Sequence, residues 1–401
     1  MRKRFFAGFA ASVLAAGIMA AVPMSAGAEA SRAVDTNKFE FDKYLIMDSD
    51  AAVPGLSFTY TIAPGTAVAA NNIKAGPEGA KFTDGIATKT ITFSSSDTVV
   101  NDYDYDTRMT IDFDGEHGNE KAAVKTLEVD LSGVTFTDPG VYRYVITETA
   151  TTDAAITYDA APAKYLDVVV IADETTGDPV IASKILHYTT TEDGEVKDHK
   201  VTGFNNTYNT NDLAFEKAVS GNQASKNKYF KFNVKITPAA GAYEPADTYS
   251  FKVTGSHDRT VDADDATYSK ATINAANDFT TLTYAQLKAG KDVYLKAGQK
   301  LIIEDLPTGI GYQITETKED YTPTIAVDNG DNEGFTADND AATATDTSLT
   351  ENTVIKFTNN KGGAIPTGVI VAVAVPAALS LVGFIGVVTI LVKRRKDNTE
   401  G

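Results

Sequence analysis

The 401-residue sequence predicts an all-β protein built as two tandem domains. Three observations carry that prediction. No long stretch shows the 3.6-residue apolar spacing of an amphipathic helix, while Gly, Asn, Asp and Thr turn signals recur through the body. The segments between those turns alternate apolar and polar residues at period two, as half-buried strands do. Finally, an alternating segment near the start has a counterpart just past the middle, so the pattern begins again partway along the chain.

Both ends fall outside this pattern. Residues 1–30 read as a secretory signal: Arg2, Lys3 and Arg4 form its basic end, an apolar run follows, and Ala26, Ala28 and Ala30 suit a peptidase, with cleavage expected near Ala28 or Ala30. At the other end, Val369–Val392 is a 24-residue apolar run, long enough to cross a bilayer. Lys393, Arg394, Arg395 and Lys396 follow it and are expected to stay in the cytoplasm. The body between is therefore expected outside the cell. Removing residues 1–30 and 368–401, each with an excess of two positive charges, takes the formal charge from −18 to −22. So acidic a surface disfavours nucleic acid as a partner. The chain has no cysteine, so disulfides cannot stabilise it.

Along the body, Lys38–Asp48 is the first strand, with Phe39, Phe41, Lys43, Leu45 and Met47 on one face and Glu40, Asp42, Tyr44, Ile46 and Asp48 on the other. Asp102–Asp114 alternates cleanly. Gly140 opens a strand that places Tyr142, Tyr144, Ile146 and Glu148 on one side. Lys164–Ala172 is a more continuous apolar strand, and Thr175–Asp178 is a turn. Phe204, Asn206 and Tyr208 share a face, after which polar residues at 208–212 mark the domain boundary. The pattern then resumes with Leu213, Phe215, Lys217 and Val219. Tyr284–Ala289 is expected to be a helical turn. Gly311 precedes Tyr312, Ile314 and Glu316, and the last strand aligns Ile355, Phe357 and Asn359.

Each half thus directs one Lys, one Glu and one Asn inward, in that order: Lys43, Glu148 and Asn206, then Lys217, Glu316 and Asn359. A lysine buried among Phe and Leu loses hydration, which lowers its pKa and makes a neutral, nucleophilic amine available. A carboxyl in the same apolar site has its pKa raised and can stay protonated, donate to the Asn carboxamide and shuttle protons as ammonia leaves. Holding amine against carbonyl replaces the entropy of encounter. The chemistry these residues suit is an intramolecular amide bond, formed once per domain, so the chain is expected to be no turnover enzyme and to need no cofactor. The bland alternative is a buried Lys–Glu pair with a hydrogen-bonded Asn.

The repeated unit resembles the isopeptide linkage domain of Gram-positive, sortase-assembled backbone pilins. The pieces that carry the resemblance are FEFDK and LAFEK, GVYRYVITE and GIGYQITE, and FNN and FTN. It implies two immunoglobulin-like β-sandwiches at residues 31–210 and 211–362, with bonds Lys43–Asn206, assisted by Glu148, and Lys217–Asn359, assisted by Glu316. Asn205 and Asn360 are rivals with outward parity. Ile365, Pro366, Thr367 and Gly368, with the apolar run and basic tail of residues 363–401, resemble a sortase sorting signal, cut between Thr and Gly. Leu306-Pro307-Thr308-Gly309 copies that motif without a following apolar run.

In the resembled family a sortase joins the cleaved Thr to a lysine of the next subunit. The position nearest that lysine here is Lys200, with Lys197 as its competitor. The implied partners are pilin-specific and housekeeping sortases, identical subunits, ancillary pilins and peptidoglycan. The implied function is a shaft subunit of a covalent surface pilus; a wall-anchored adhesin or ancillary pilin that is not polymerised is the alternative. Four scattered histidines (His117, His187, His199, His257) indicate no zinc site. Asp102, Asp104 and Asp106 mimic a calcium loop, but Thr107 and Phe113 stand where Gly and Glu are needed. Asp328–Asp340 reads as an acidic loop.

Overall fold

The computed structural model describes residues 37–101, 120–238, 248–255, 261–330 and 333–363. The secretory signal, the Asp102–Asp114 strand, His117, His257, the Ile365–Gly368 motif, the apolar run and the basic tail lie outside the described residues. Among the described residues no helix is long and apolar enough to cross a membrane.

The architecture is all-β, two sandwiches in succession. In the first half, the opening strand Lys38–Asp48 lies between Glu120–Asp130, antiparallel, and the closing strand Gly203–Tyr208, parallel. The facing sheet runs Glu195–Lys200, Pro179–Glu192, Ala163–Ala172, Gly140–Thr149, Ser57–Pro64 and Thr88–Thr92. In the second half, the opening strand Thr210–Ser220 lies between Gln299–Pro307 and the closing strand Thr353–Asn360, again parallel to it. Its facing sheet runs Lys291–Lys296, Tyr229–Thr237, Gly311–Glu316, Thr343–Asp346 and Thr336–Asp338. Each pair of sheets closes over its own apolar core, one drawn from Phe41 to Tyr208, the other from Leu213 to Phe357. Alternation along the strands sends one row of side chains into each core, which is the physical origin of the sandwich.

Parallel pairing of first and last strands is what positions the site. In the first half Gly203 makes the approach feasible, because a Cβ there would meet the Asp42 carbonyl oxygen at 1.8 Å. That contact registers Lys43 opposite Phe204 and Leu45 opposite Asn206. The second half has the same offset, Lys217 opposite Phe357 and Val219 opposite Asn359. Lysine and asparagine are therefore diagonal neighbours on one face in both halves, within reach of a long side chain.

Several elements differ from the sequence reading. The outer face of the opening strand is not all solvated: Tyr44 and Ile46 are buried along with the inner row. At the expected boundary, 208–212, only Asn209 separates the closing strand of one half from the opening strand of the next. Tyr284–Ala289 is a helix with a capping box from Thr283 and Gln286. A second helix, Lys270–Asn277, was not foreseen; Ser269 caps it, and Ile273 and Asn277 supply its buried face. Asp328–Asp340 is not simply a loop, because Thr322–Asn329 and Thr336–Asp338 are strands. The motif copy at Leu306–Gly309 is a strand end and turn, with Leu306 buried and Gly309 at φ +88°.

Candidate functional site: two lysine–glutamate–asparagine centres

In each half the lysine and asparagine come from one sheet, and the glutamate comes from the sheet facing it. Lys43 is 0% exposed, Glu148 2% and Asn206 1%; Lys217 is 1%, Glu316 1% and Asn359 3%. All six inward-facing residues are thus brought together as two triplets. The adjacent Asn205 and Asn360 are not part of them. Asn205 is half-buried and Asn360 is exposed, its side-chain amide donating to the Ser220 hydroxyl at 2.8 Å.

In the first centre Lys43 Nζ lies 2.7 Å from Glu148 Oε1, at an angle that leaves the amine without a hydrogen-bond partner. Asn206 Nδ2 donates to the same carboxylate oxygen at 3.0 Å. The Tyr60 hydroxyl, on the strand paired opposite Glu148, donates to it at 2.8 Å. Asn206 Oδ1 accepts the backbone N–H of Asp159 at 2.9 Å. Aromatic rings enclose the amine: Lys43 Nζ sits 4.5 Å from the Phe58 ring, and Phe41, Tyr60 and Phe204 pack against one another beside it.

The second centre repeats the core of this arrangement. Lys217 Nζ lies 3.0 Å from Glu316 Oε1 and donates to Oε2 at 3.1 Å. Asn359 Nδ2 donates to Glu316 Oε1 at 2.6 Å. The ring of Phe230 stands 4.3 Å from the amine, with Phe215, Phe232 and Phe357 around it. Phe232 occupies the place opposite Glu316 that Tyr60 holds opposite Glu148, so no hydroxyl is available there.

Desolvation decides the protonation chemistry. Burial pulls the Lys43 and Lys217 ammonium groups from 10.5 down to about 8, although the neighbouring glutamate opposes the fall in both cases. Burial likewise pushes Glu316 above the usual carboxylate range, with Lys217 and Asn359 holding it back. A charged pair and its neutral counterpart, amine plus carboxylic acid, hold the same single proton, and loss of hydration favours the neutral form.

The arrangement assigns roles differently from the sequence reading in one respect. That reading had the carboxyl donate to the asparagine carboxamide as well as shuttle protons. The structure instead turns the amide nitrogen toward the carboxyl, on the side where ammonia departs. Attack by a neutral lysine nitrogen on Asn Cγ would create a tetrahedral centre. A carboxylic acid in this place could give its proton to Nδ2 and then take one from the attacking nitrogen as ammonia leaves, so the glutamate would end as it began.

A pH dependence follows for the second centre. Below the raised value of Glu316 both partners hold protons, and above about 8 neither does; only between these limits does the pair hold the one proton that the reaction uses. Unlinked chains diluted from denaturant are expected to cross-link more slowly in acid and again above about pH 8. Intact mass against time measures this, and a rate still climbing well beyond that pH would contradict it.

Three groups near the first centre were missed by sequence reasoning: Tyr60, Asp159 and Lys164. Lys164 is 1% exposed and shares inward parity with Leu166, Val168 and Val170. The rule that singled out Lys43 would have found it. Lys200 is exposed at the end of the edge strand Glu195–Lys200, and no ion pair to it is seen among the described residues. Lys197, on the same strand, is engaged by Glu192 at 2.7 Å.

The Spy0128-like isopeptide containing domain family matches residues 39–209, and a domain of unknown function matches residues 211–361. The chain is 27% identical over 359 residues to a pilin of Streptococcus pyogenes serotype M1, covering 87% of this chain and 88% of that protein. A solved major pilin from Streptococcus pyogenes is similar in fold, with a TM-score of 0.55 and 23% identity over 82% of this chain and 100% of its own. The T3.2 major pilin of the same species has a TM-score of 0.51 and 21% identity, covering 81% of this chain and 98% of its own. The family matched by the second half carries no functional description, so its centre is known by geometry alone.

Proposed function

We propose that the chain is a pilin of the streptococcal type, as its match to the Spy0128-like isopeptide containing domain over residues 39–209 and its likeness to Streptococcus pyogenes pilins support, that both of its domains staple themselves with a Lys–Asn amide, and that sortase chains the subunits into a pilus shaft. The single observation that supports this most is the convergence of a buried lysine and a buried asparagine on one glutamate in each half. Lys43 joins Asn206 and Lys217 joins Asn359, each with loss of one ammonia. The reaction runs once per domain and is not turnover. The intact mass of the secreted body is expected to fall short of its sequence mass by two ammonia, and a body at full mass would remove the proposal.

Polymerisation uses the sorting signal. Sortase cleaves between Thr367 and Gly368 and transfers Thr367 to Lys200 of the next subunit, and the finished polymer is attached to peptidoglycan. Lys200 suits the acceptor role because it is exposed on an edge strand with a firm base. Beside that strand in the same sheet, Arg143 and Asp167 form a buried bidentate pair at 2.7 and 2.6 Å, Asp167 meets His187 Nε2 at 3.0 Å, and His187 stands opposite Lys200 in the ladder. Wall extracts are expected to show a detergent-resistant ladder that Lys200→Ala abolishes and Lys197→Ala leaves intact. The reverse result would transfer the role to Lys197, and a parent without a ladder would favour an ancillary, unpolymerised pilin.

A further inference from the structure

The asparagine of the first centre is gripped at both ends of its carboxamide, whereas that of the second is gripped at one. Asn206 Nδ2 faces Glu148, and Asn206 Oδ1 accepts the backbone N–H of Asp159. A backbone N–H can only donate, so this bond fixes which end is oxygen. In the second centre Asn359 Oδ1 is buried and has no hydrogen-bond partner among the described residues. We propose that the backbone N–H of Asp159 is the oxyanion donor for amide formation in the first domain, and that the buried Asp159–Lys164 pair positions it. This rests on the reading of that centre as a cross-linking site.

The chemistry places the demand on this oxygen. As the bond from Lys43 Nζ to Asn206 Cγ forms, the carbonyl π electrons move to Oδ1, which becomes an alkoxide. They return when the Cγ–Nδ2 bond breaks and Nδ2 leaves as ammonia, carrying the proton relayed through Glu148. A donor already aimed at Oδ1 in a buried site stabilises the charged stage with no reorganisation. Lys43 cannot supply that donor once it attacks, and Glu148 serves the nitrogen. The Asp159 N–H, 2.9 Å from Oδ1, is the group in place.

The segment bearing that N–H is held unusually firmly for a loop between the strands Ile156–Thr157 and Ala163–Ala172. Asp159 Oδ1 accepts the N–H of Ala161 at 2.8 Å, closing a local turn. Asp159 Oδ2 accepts the N–H of Asn205 at 3.1 Å, which ties the loop to the closing strand beside the reacting asparagine. The same oxygen accepts Lys164 Nζ at 2.8 Å, and Lys164 also donates to the Ala161 carbonyl at 3.1 Å. Lys164 lies over the Phe204 ring at 4.7 Å and the Tyr188 ring at 4.9 Å. A buried ion pair contributes little to stability against an apolar replacement, so a positional use is the better account of its presence. Here it sets the loop that aims one N–H.

The test starts from full-length chains made without cells, kept unlinked in denaturant and then diluted to refold. Cross-linked peptides from each domain are quantified against time by mass spectrometry. Asp159→Pro deletes the N–H and is expected to slow the Lys43–Asn206 bond by about 100-fold, the scale for losing one oxyanion donor, while the Lys217–Asn359 bond keeps its rate. Lys164→Met is expected to slow the first bond less, with partial rescue in Lys164→Arg. In an Asn206→Ala background no first bond forms, so the melting of each variant there reports any purely structural damage. If Asp159→Pro does not fold, an ester in place of the residue-159 amide removes the donor alone, and the same slowing is expected. A first-domain rate within twofold of the parent in either chain overturns the proposal. A parent that never forms the first bond overturns the cross-linking reading instead.

Discussion

Under axial load, Asn359→Ala is expected to lengthen each subunit by a whole unfolded domain, and Asn206→Ala is expected not to. On the proposed linkage through Lys200, tension enters there, passes along the closing strand Gly203–Tyr208 directly into the opening strand Thr210–Ser220, and reaches Lys217. With the second bond intact it crosses to Asn359 and leaves through the chain toward Thr367. The 142 residues between 217 and 359 are then shielded; without the bond they extend by roughly 500 Å when fully drawn out. Without the bond, the resistance comes from non-covalent contacts, the pairing of the parallel strands Thr210–Ser220 and Thr353–Asn360 among them. The first bond hangs beside this path, since Lys43 and the residues up to 199 lie on a side branch that meets the line at Asn206. Single-molecule stretching of polymers of each variant measures the difference. Equal extension in the two would show that the load takes another route.

Replacing both carboxylates, Glu148→Ala with Glu316→Ala, is expected to abolish both bonds and to lower the melting temperature more than any other pair of changes at these centres. Without a proton carrier the amine cannot shed its proton nor the amide its nitrogen, so the variant's intact mass should equal its own sequence mass, without the deficit of two ammonia expected of the parent. The proposed bonds would close loops of 163 and 142 residues. If the chain-entropy estimate for disulfides transfers to amides, each contributes on the order of 5 kcal/mol. For domains of this size that corresponds to roughly 10–20 °C in melting temperature per domain. The loss is compounded because each variant leaves a buried lysine without its carboxylate, which is strongly destabilising. Differential scanning calorimetry with mass measured on the same sample separates the two contributions. A double variant that still loses ammonia would show that the glutamates are dispensable and that another group carries the protons.

How much was legible beforehand depended on whether the signal was local. Parity along single strands was enough to turn Lys43, Glu148 and Asn206 inward, and the repetition at Lys217, Glu316 and Asn359 made the pattern specific. Parity did not reveal that Tyr44 and Ile46 are buried, because a strand shows which residues share a face and not what later covers the opposite one. The helix Lys270–Asn277 escaped because at eight residues its apolar stripe amounts to one buried isoleucine, too little to show a period. Asp159 escaped for a different reason: its contribution is a backbone N–H, which every residue except proline carries.

The order of lysine, glutamate and asparagine in each half, their inward phase and the strand character of their surroundings were determined by the sequence alone, since side-chain alternation is a property of the extended chain. Which oxygen and which nitrogen face each other was decided only in three dimensions. The parallel pairing of first and last strands sets lysine and asparagine diagonal, the facing sheet delivers the glutamate, and a loop from elsewhere reaches the asparagine oxygen in one domain and not in the other. Those relations join residues 43 to 163 positions apart, and no local pattern specifies the angle at which two sheets meet.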